Sequence, residues 1–365
     1  MRFYFKYCLL LLFAIGAQLP WSTVQAQGLD SNRLSSGKPI FAVLPIIYYT
    51  PETRFAYGLS GISFFKTDSL SRVSSVQVLG AYTQNKQILS WLPFQLFLKE
   101  DNYWVQGELA FYRYPYFFSG VGNEVPNGYE EDYTAQFPRF RLTGMKKVAP
   151  NLYAGAQYWF QNTNIREREA GGLLEQGAPG GDGGTTSGIG WAVNYDKRDI
   201  QFFPSKGAFV QLRSLFNQQE LGSDFTYNNY IVDARKYLSI QSHVLALQGY
   251  ADIIFGGPPF NQMAQLGGEN RMRGYRLGTY RDRKMLVSQL EYRSPYIWRI
   301  SFVGFGGYGG VADNFEGFST RTMRFSYGAG MRFLFDSNQR LNMRFDYGFG
   351  DDGNRGFYFT FGEAF

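Results

Sequence analysis

Cysteine and histidine are almost missing: one of each occurs in 365 residues. A single cysteine excludes a disulfide framework, and with a single histidine it leaves no ligands for a transition-metal cluster. Long apolar runs are missing too, which excludes a bundle of membrane helices. A formal net charge of +6 is too mild to mark a nucleic-acid binder. What the chain has in quantity is 35 Phe, 27 Tyr, 6 Trp and 43 Gly. That is too apolar and aromatic for a disordered chain. Glycine and aromatics at moderate hydrophobicity suit strands that turn one face to lipid and the other to water.

The first residues read as a secretory signal. Arg2 and Lys6 make a positive start, residues 8–15 a short apolar core, and Val24-Gln25-Ala26 a cleavage site. The apolar run is too short to span a bilayer. Cys8 lies inside it, away from the cleavage point, so no lipoprotein is expected. Cleavage after Ala26 removes two basic residues and no acid, taking the charge from +6 to +4. Export also argues against nucleic acid as a partner. Residues 27–39 form a polar periplasmic lead, and residues 40–365 the folded part.

That part alternates with period two. In residues 152–161, Leu152, Ala154, Ala156, Tyr158 and Phe160 share one face, with Tyr153, Gln157 and Gln161 on the other. In residues 341–350, Leu341, Met343, Phe345, Tyr347 and Phe349 oppose Asn342, Arg344, Asp346 and Gly348. Sixteen strands are predicted, near 40–49, 54–66, 73–84, 87–98, 102–113, 133–147, 151–163, 187–197, 206–217, 224–238, 241–254, 283–293, 299–310, 322–335, 339–349 and 355–365. A soluble sandwich would also alternate, but here the apolar faces are rich in aromatics and the connections are asymmetric. One set is short. The other includes 114–132, 164–186 and 255–282. This predicts an all-β, sixteen-stranded antiparallel transmembrane barrel in the outer membrane of a Gram-negative bacterium, with both termini periplasmic and the long loops outside. Residues 171–184, half of them glycine, read as a mobile outer loop. Phe357, Phe359, Phe361 and Phe365 share one parity and are expected to face lipid.

Catalytic chemistry finds little support. His243 shares its parity with Leu245 and Leu247, so it belongs to the lipid side at the barrel rim, where a catalytic base would lack water and an oriented partner. Residues 304–309 match GxGxxG, but no helix follows, so the motif binds no dinucleotide. No cofactor or metal is expected, and the chain is not read as an enzyme. Glu108, Arg139, Arg141, Arg213, Glu291, Arg332, Arg344 and Asp346 point inward, as charges that avoid lipid should.

The longest outer connection carries a resemblance. Gly267-Gly268, then Met272-Arg273-Gly274-Tyr275, then Leu290-Glu291-Tyr292-Arg293-Ser294-Pro295 resemble the [VIL]RG[FY] lid loop of the BamA/TamA outer-membrane assembly-factor superfamily, whose barrel is also called the bacterial surface antigen domain. Residues 195–199 with 203–207 resemble its DxRD…FPxxG segment, residues 49–54 its first hairpin, residues 117–123 its FxGxGN loop, and the ending Gly362-Glu363-Ala364-Phe365 its terminal strand. The family's FxDxG strand is matched by text from Phe305 to Gly309, with Gly307 where Asp is expected.

The resemblance implies insertion or translocation of protein or lipid through a barrel with a weak seam between residues 40–49 and 355–365. The rival is a passive pore or structural barrel. The resemblance also folds the lid into the lumen, where Arg273 is expected to pair with Glu291 while Gly307 and Gly309 leave room for the lid backbone. Phe365 is expected to be the assembly signal read by the barrel assembly machinery. No POTRA domain fits before residue 40, so a barrel-only member is expected, with outer-membrane lipids and a separate periplasmic protein as its expected partners.

Overall fold

Alternation between apolar and polar side chains runs through the whole wall of the protein, in a computed structural model that describes residues 39–123, 129–200, 203–336 and 341–365. The expected signal peptide and nearly all of the lead lie outside the described residues. In chain order the strands are β1 (Ile40–Thr50), β2 (Arg54–Phe65), β3 (Ser74–Thr83), β4 (Ile88–Leu98), β5 (Tyr103–Phe118), β6 (Glu131–Ala149), β7 (Leu152–Arg168), β8 (Gly183–Asp196), β9 (Gly207–Asn217), β10 (Tyr227–Ile240), β11 (His243–Gly256), β12 (Ala264–Leu266), β13 (Tyr280–Asp282), β14 (Lys284–Arg293), β15 (Ile300–Ala312), β16 (Arg324–Asp336), β17 (Leu341–Gly350) and β18 (Arg355–Phe361). Sixteen of them close an antiparallel barrel, and β12 with β13 form a separate two-stranded sheet. This is the architecture of a Gram-negative outer-membrane barrel. Among the described residues no helix is long and apolar enough to cross a membrane.

Neighbouring strands follow in chain order, except that β11 pairs with β14 across the β12–β13 insertion. The outward parity carries exposed aromatics and aliphatics, such as Phe41, Leu59, Leu109, Phe302 and Tyr327. The inward parity carries buried polar groups, among them Glu108, Gln157, Asp233, Glu291 and Asp346. The lumen is thus lined by hydrogen-bonded and paired groups and, around the β11–β14 insertion, by a buried apolar cluster that includes Ile254, Leu266, Met272, Met285 and Val311.

One closure is much weaker than the others. β1 pairs with β2 along eleven residues, from Ile40↔Phe64 to Thr50↔Arg54, and β17 pairs with β18 along seven. Between β1 and β18 the only pair among the described residues is Tyr49↔Phe359.

Several expectations need correction. β5, β6 and β7 run on past their expected ends, to Phe118, back to Glu131 and on to Arg168, so the connections there are shorter than 114–132 and 164–186. Tyrosine and phenylalanine at residues 114–118 continue a strand as readily as they line a loop. The glycine-rich stretch expected to be mobile is tied down. Glu131 accepts hydrogen bonds from the amides of Leu173 at 2.5 Å and Leu174 at 2.8 Å, and Leu174 is buried against Phe118 and Phe260. Phe365 does not face lipid. β18 ends at Phe361, Gly362 turns at φ +81°, and the chain then bends into the lumen, where Phe365 is buried beside Tyr237 and Ala246. Glycine is the residue that enters that left-handed region without strain, and the turn breaks the parity count.

Candidate functional site

The insertion between β11 and β14 folds into the barrel. Gly267 and Gly268, both at positive φ, turn the chain inward, and the Gly268 amide bonds the Tyr275 carbonyl at 3.0 Å. The segment between them forms a tight arch. Met272, Arg273 and Tyr275 at its tip are 1% exposed or less. Met272 is fixed twice, by its amide on the Gln289 side-chain oxygen at 2.8 Å and by its sulfur beside Gly307.

Arg273 lies where three strands meet. Its guanidinium reaches Glu291 of β14 at 2.6 Å and Asp346 of β17 at 2.5 Å, and it sits 3.6 Å over the ring of Phe305 on β15. The charges continue beyond it. Arg332 bridges Asp346 at 2.6 Å and Glu363 at 2.8 Å, and Arg293 bridges Glu291 at 2.8 Å and Glu363 at 3.6 Å. Arg344 holds Glu269 at 3.6 Å on the loop's own shoulder. Guanidiniums and carboxylates buried this deeply are tolerable only when they are mutually paired. The network therefore links the loop, three wall strands and the chain after β18 as one unit.

The loop also touches both sides of the weak closure. The Gly274 amide donates to the Tyr358 hydroxyl of β18 at 3.0 Å. Three residues on, the Leu277 amide donates to Glu52 at 2.8 Å, in the turn joining β1 and β2. Tyr275 passes over β17, where its hydroxyl donates to the Phe325 carbonyl and accepts from the Asp351 amide, both at 2.7 Å.

The expected partner Glu291 lies beside Arg273, and the carboxylate in doubt at Gly307 is supplied instead by Asp346, from two strands further on. The room ascribed to Gly307 and Gly309 is found elsewhere. A Cβ at Gly307 would meet the Met272 sulfur at 2.9 Å, a side chain rather than loop backbone, and one at Gly309 would meet Leu286 and Val287 of the neighbouring strand. The loop backbone rests on Gly348, where a Cβ would lie 2.7 Å from the Arg273 carbonyl, and the Tyr275 ring rests on Gly350 at 2.5 Å. Asp346, Gly348 and Gly350 all point inward on β17. An inward carboxylate followed by two inward glycines was the readable signal of something packing there. Glu52, Tyr358 and Glu363 had no such signal.

The other expected positions stand apart. His243 bonds the Tyr292 hydroxyl through Nδ1 at 2.6 Å and stacks on its ring, away from the arginine network. Among the described residues no group of three or more His, Cys, Asp or Glu could hold a metal ion.

The model of the Omp85 superfamily domain matches residues 116–365, more than half of the chain. Among solved structures, the chain is similar to BamA from Haemophilus ducreyi lacking POTRA domains 1-3, with TM-score 0.62 and 14% identity over 88% of this chain and 70% of that one. It is also similar to CdiB from Acinetobacter baumannii (TM-score 0.56, 11% identity, 89% of this chain and 59% of that one). CdiB from Escherichia coli gives TM-score 0.57 and 11% identity over 91% and 68%. At these identities the likeness is one of fold. No curated protein matches in sequence.

Proposed function

The chain belongs to the Omp85 superfamily, and from that premise we propose that it assists insertion or translocation of polypeptide or lipid at the outer membrane, in the manner of a BamA/TamA-type barrel that parts between β1 and β18. The observation that carries this reading is that, among the described residues, one backbone pair, Tyr49↔Phe359, makes that closure. Backbone groups left unpaired at a membrane depth seek partners, so two loosely joined edges offer a client strand a template. The inserted loop is the restraint. Arg273 anchors it to Glu291 and Asp346, and Gly274 and Leu277 reach the two sides of the seam. Surrounding partners on this reading are outer-membrane lipids, the assembly machinery that inserts the barrel itself, with Phe365 as its signal, and a periplasmic protein that delivers clients.

A cysteine pair at Tyr49 and Phe359 tests it. No cysteine other than Cys8 occurs in the chain, and directly opposed antiparallel positions suit a disulfide. In liposomes, the oxidised pair should stop insertion of an unfolded outer-membrane barrel client, and reductant should restore it. Insertion that is indifferent to oxidation would overturn the reading. No insertion in either state, with steady ion conductance, would leave a passive barrel.

A further inference from the structure

A second set of charges lines the lumen away from the loop's network. Register places Arg141 of β6 beside Glu108 of β5 and Trp159 of β7, with Arg139 one inward step along β6. Glu108 is already shared, accepting from the Trp91 indole at 2.7 Å and facing Arg141 at 3.3 Å and Arg139 at 3.9 Å. Both guanidiniums lie over the Trp159 ring, at 5.7 and 5.1 Å. On β9, Arg213 has no carboxylate within ion-pair distance among the described residues, and its Nε has no hydrogen-bond partner. Its charged surroundings are Arg141, Asp252 and Asp233. Asp233 is forked by Arg235, and Asp252 accepts from Asn229 at 2.6 Å.

From the inserted loop, Arg271 adds a fourth guanidinium, 4.0 Å over the ring of Tyr250. Four cations thus face two carboxylates, Glu108 and Asp252. Between Trp159 and Arg213 the inward positions of β8 are Gly188, Gly190 and Ala192, and the Gln157 side chain crosses this strand to bond the Ser214 carbonyl of β9. Arg139 and Arg141 keep 26% and 35% of their side-chain surface open.

We propose that this basin binds a phosphate-bearing ligand, a phosphate monoester or diphosphate group entering the lumen. The surplus of two positive charges matches a dianion. Guanidinium forks engage phosphate oxygens two at a time, which a single carboxylate cannot fully use. The open faces of Arg139 and Arg141 give the group its approach from the lumen, and the Trp159 ring backs these two arginines. The same chemistry serves a lipid headgroup or a soluble phosphate.

The test uses the full chain in detergent, titrated calorimetrically with inorganic pyrophosphate. Wild type should bind saturably and less tightly as salt rises. Arg213→Gln and Arg141→Gln should each weaken binding about tenfold, the loss of one charge-assisted contact. Arg324→Gln, at the far rim and paired with Asp352 at 2.9 Å, should leave it unchanged. Folding of each variant is read from the gel shift on heating, and Arg213→Lys, which keeps the charge but not the fork, should weaken binding by less than Arg213→Gln. A phosphorylated lipid seen by native mass spectrometry on wild type, absent from Arg213→Gln and displaced by pyrophosphate, assigns the group to a lipid. Pyrophosphate binding without such an adduct assigns it to a soluble ligand. No saturable binding by wild type, or equal binding by all folded variants, overturns the proposal.

Discussion

The backbone N–H of Gly274 donates to the hydroxyl of Tyr358 at 3.0 Å, joining the tip of the inserted loop to the last strand. Tyr358 in turn donates to the Tyr275 carbonyl at 3.4 Å, so one phenol serves two loop groups. Tyr358→Phe leaves a buried amide unpaired, a loss of about 1–3 kcal/mol. It should raise hydrogen exchange in β18 and in the loop together while the far wall, β5 to β9, stays protected. Exchange that rises in β18 alone would separate the loop from the seam. Glu52→Gln keeps an acceptor for Leu277 and should be milder than Glu52→Ala.

Arg273→Ala leaves Glu291 short of one partner and Asp346 short of another. Each keeps Arg332 nearby, at 3.5 and 2.6 Å. The expected cost is about 3 kcal/mol, felt as release of the loop rather than loss of the barrel. Glu291→Gln and Asp346→Asn should act in the same direction, and each double variant with Arg273→Ala should fall short of the sum. Protease nicking within residues 267–279, at unchanged heat-modifiable migration, is the measurement.

Gly348→Ala and Gly307→Ala make a matched pair. The added methyl at Gly348 meets loop backbone, and at Gly307 it meets the flexible end of Met272. The first should displace the loop and the second should be absorbed by a rotation of the methionine. Equal protease sensitivity of the two variants would show that the loop does not rest on β17.

Topology is checked by labelling. Gln176→Cys is an exposed position in the connection between β7 and β8. Glycine 181 suits this less well, since a Cβ there would meet the Leu174 carbonyl at 2.2 Å. Reagent that cannot cross the membrane should label Gln176→Cys on intact cells and Glu100→Cys, at the opposite end, only after the outer membrane is opened. The reverse pattern would invert the assignment.

At the end of the barrel with tight turns, Asp68 accepts from the Ser71 hydroxyl at 2.6 Å and from the amides of Glu100, Ser71 and Leu70. These bonds, the Ser71 hydroxyl first, hold its carboxyl at about 2. A depressed value means that the turn keeps the full contribution of this carboxylate above its ordinary range near 4 and loses it as pH falls through about 2. A carboxyl NMR titration in micelles should give that midpoint, and Ser71→Ala should move it upward. An unshifted midpoint in wild type would refute the arrangement.

The wall was legible because lipid and water sort side chains on alternate positions, which is why residues 152–161 and 341–350 announce their faces. Parity also put Asp346 and Glu291 on the inside. It has no power to say which inward groups meet across a lumen, so it shows Asp346 as lining and is silent on its place beside Arg273. Phe365 fails for a different reason. Parity holds only while a strand continues, and the turn at Gly362 ended it. The glycine-rich stretch misled because composition describes the freedom of an isolated chain, whereas Glu131, distant in sequence, supplies the two bonds that hold it.

The occupied lumen bears on what the cell's outer barrier lets through. The loop fills one part of the channel with Met272, Arg273 and Tyr275, and at the opposite mouth Arg72 lies 3.9 Å over Phe97 while Phe365 packs beside Tyr237. A resting barrel of this kind is expected to add little leak for solutes the size of a large antibiotic. Loosening the arginine network then has a physiological reading. Cells carrying Arg273→Ala should become sensitive to bulky drugs that the outer membrane normally excludes, before any change in the amount of barrel is seen.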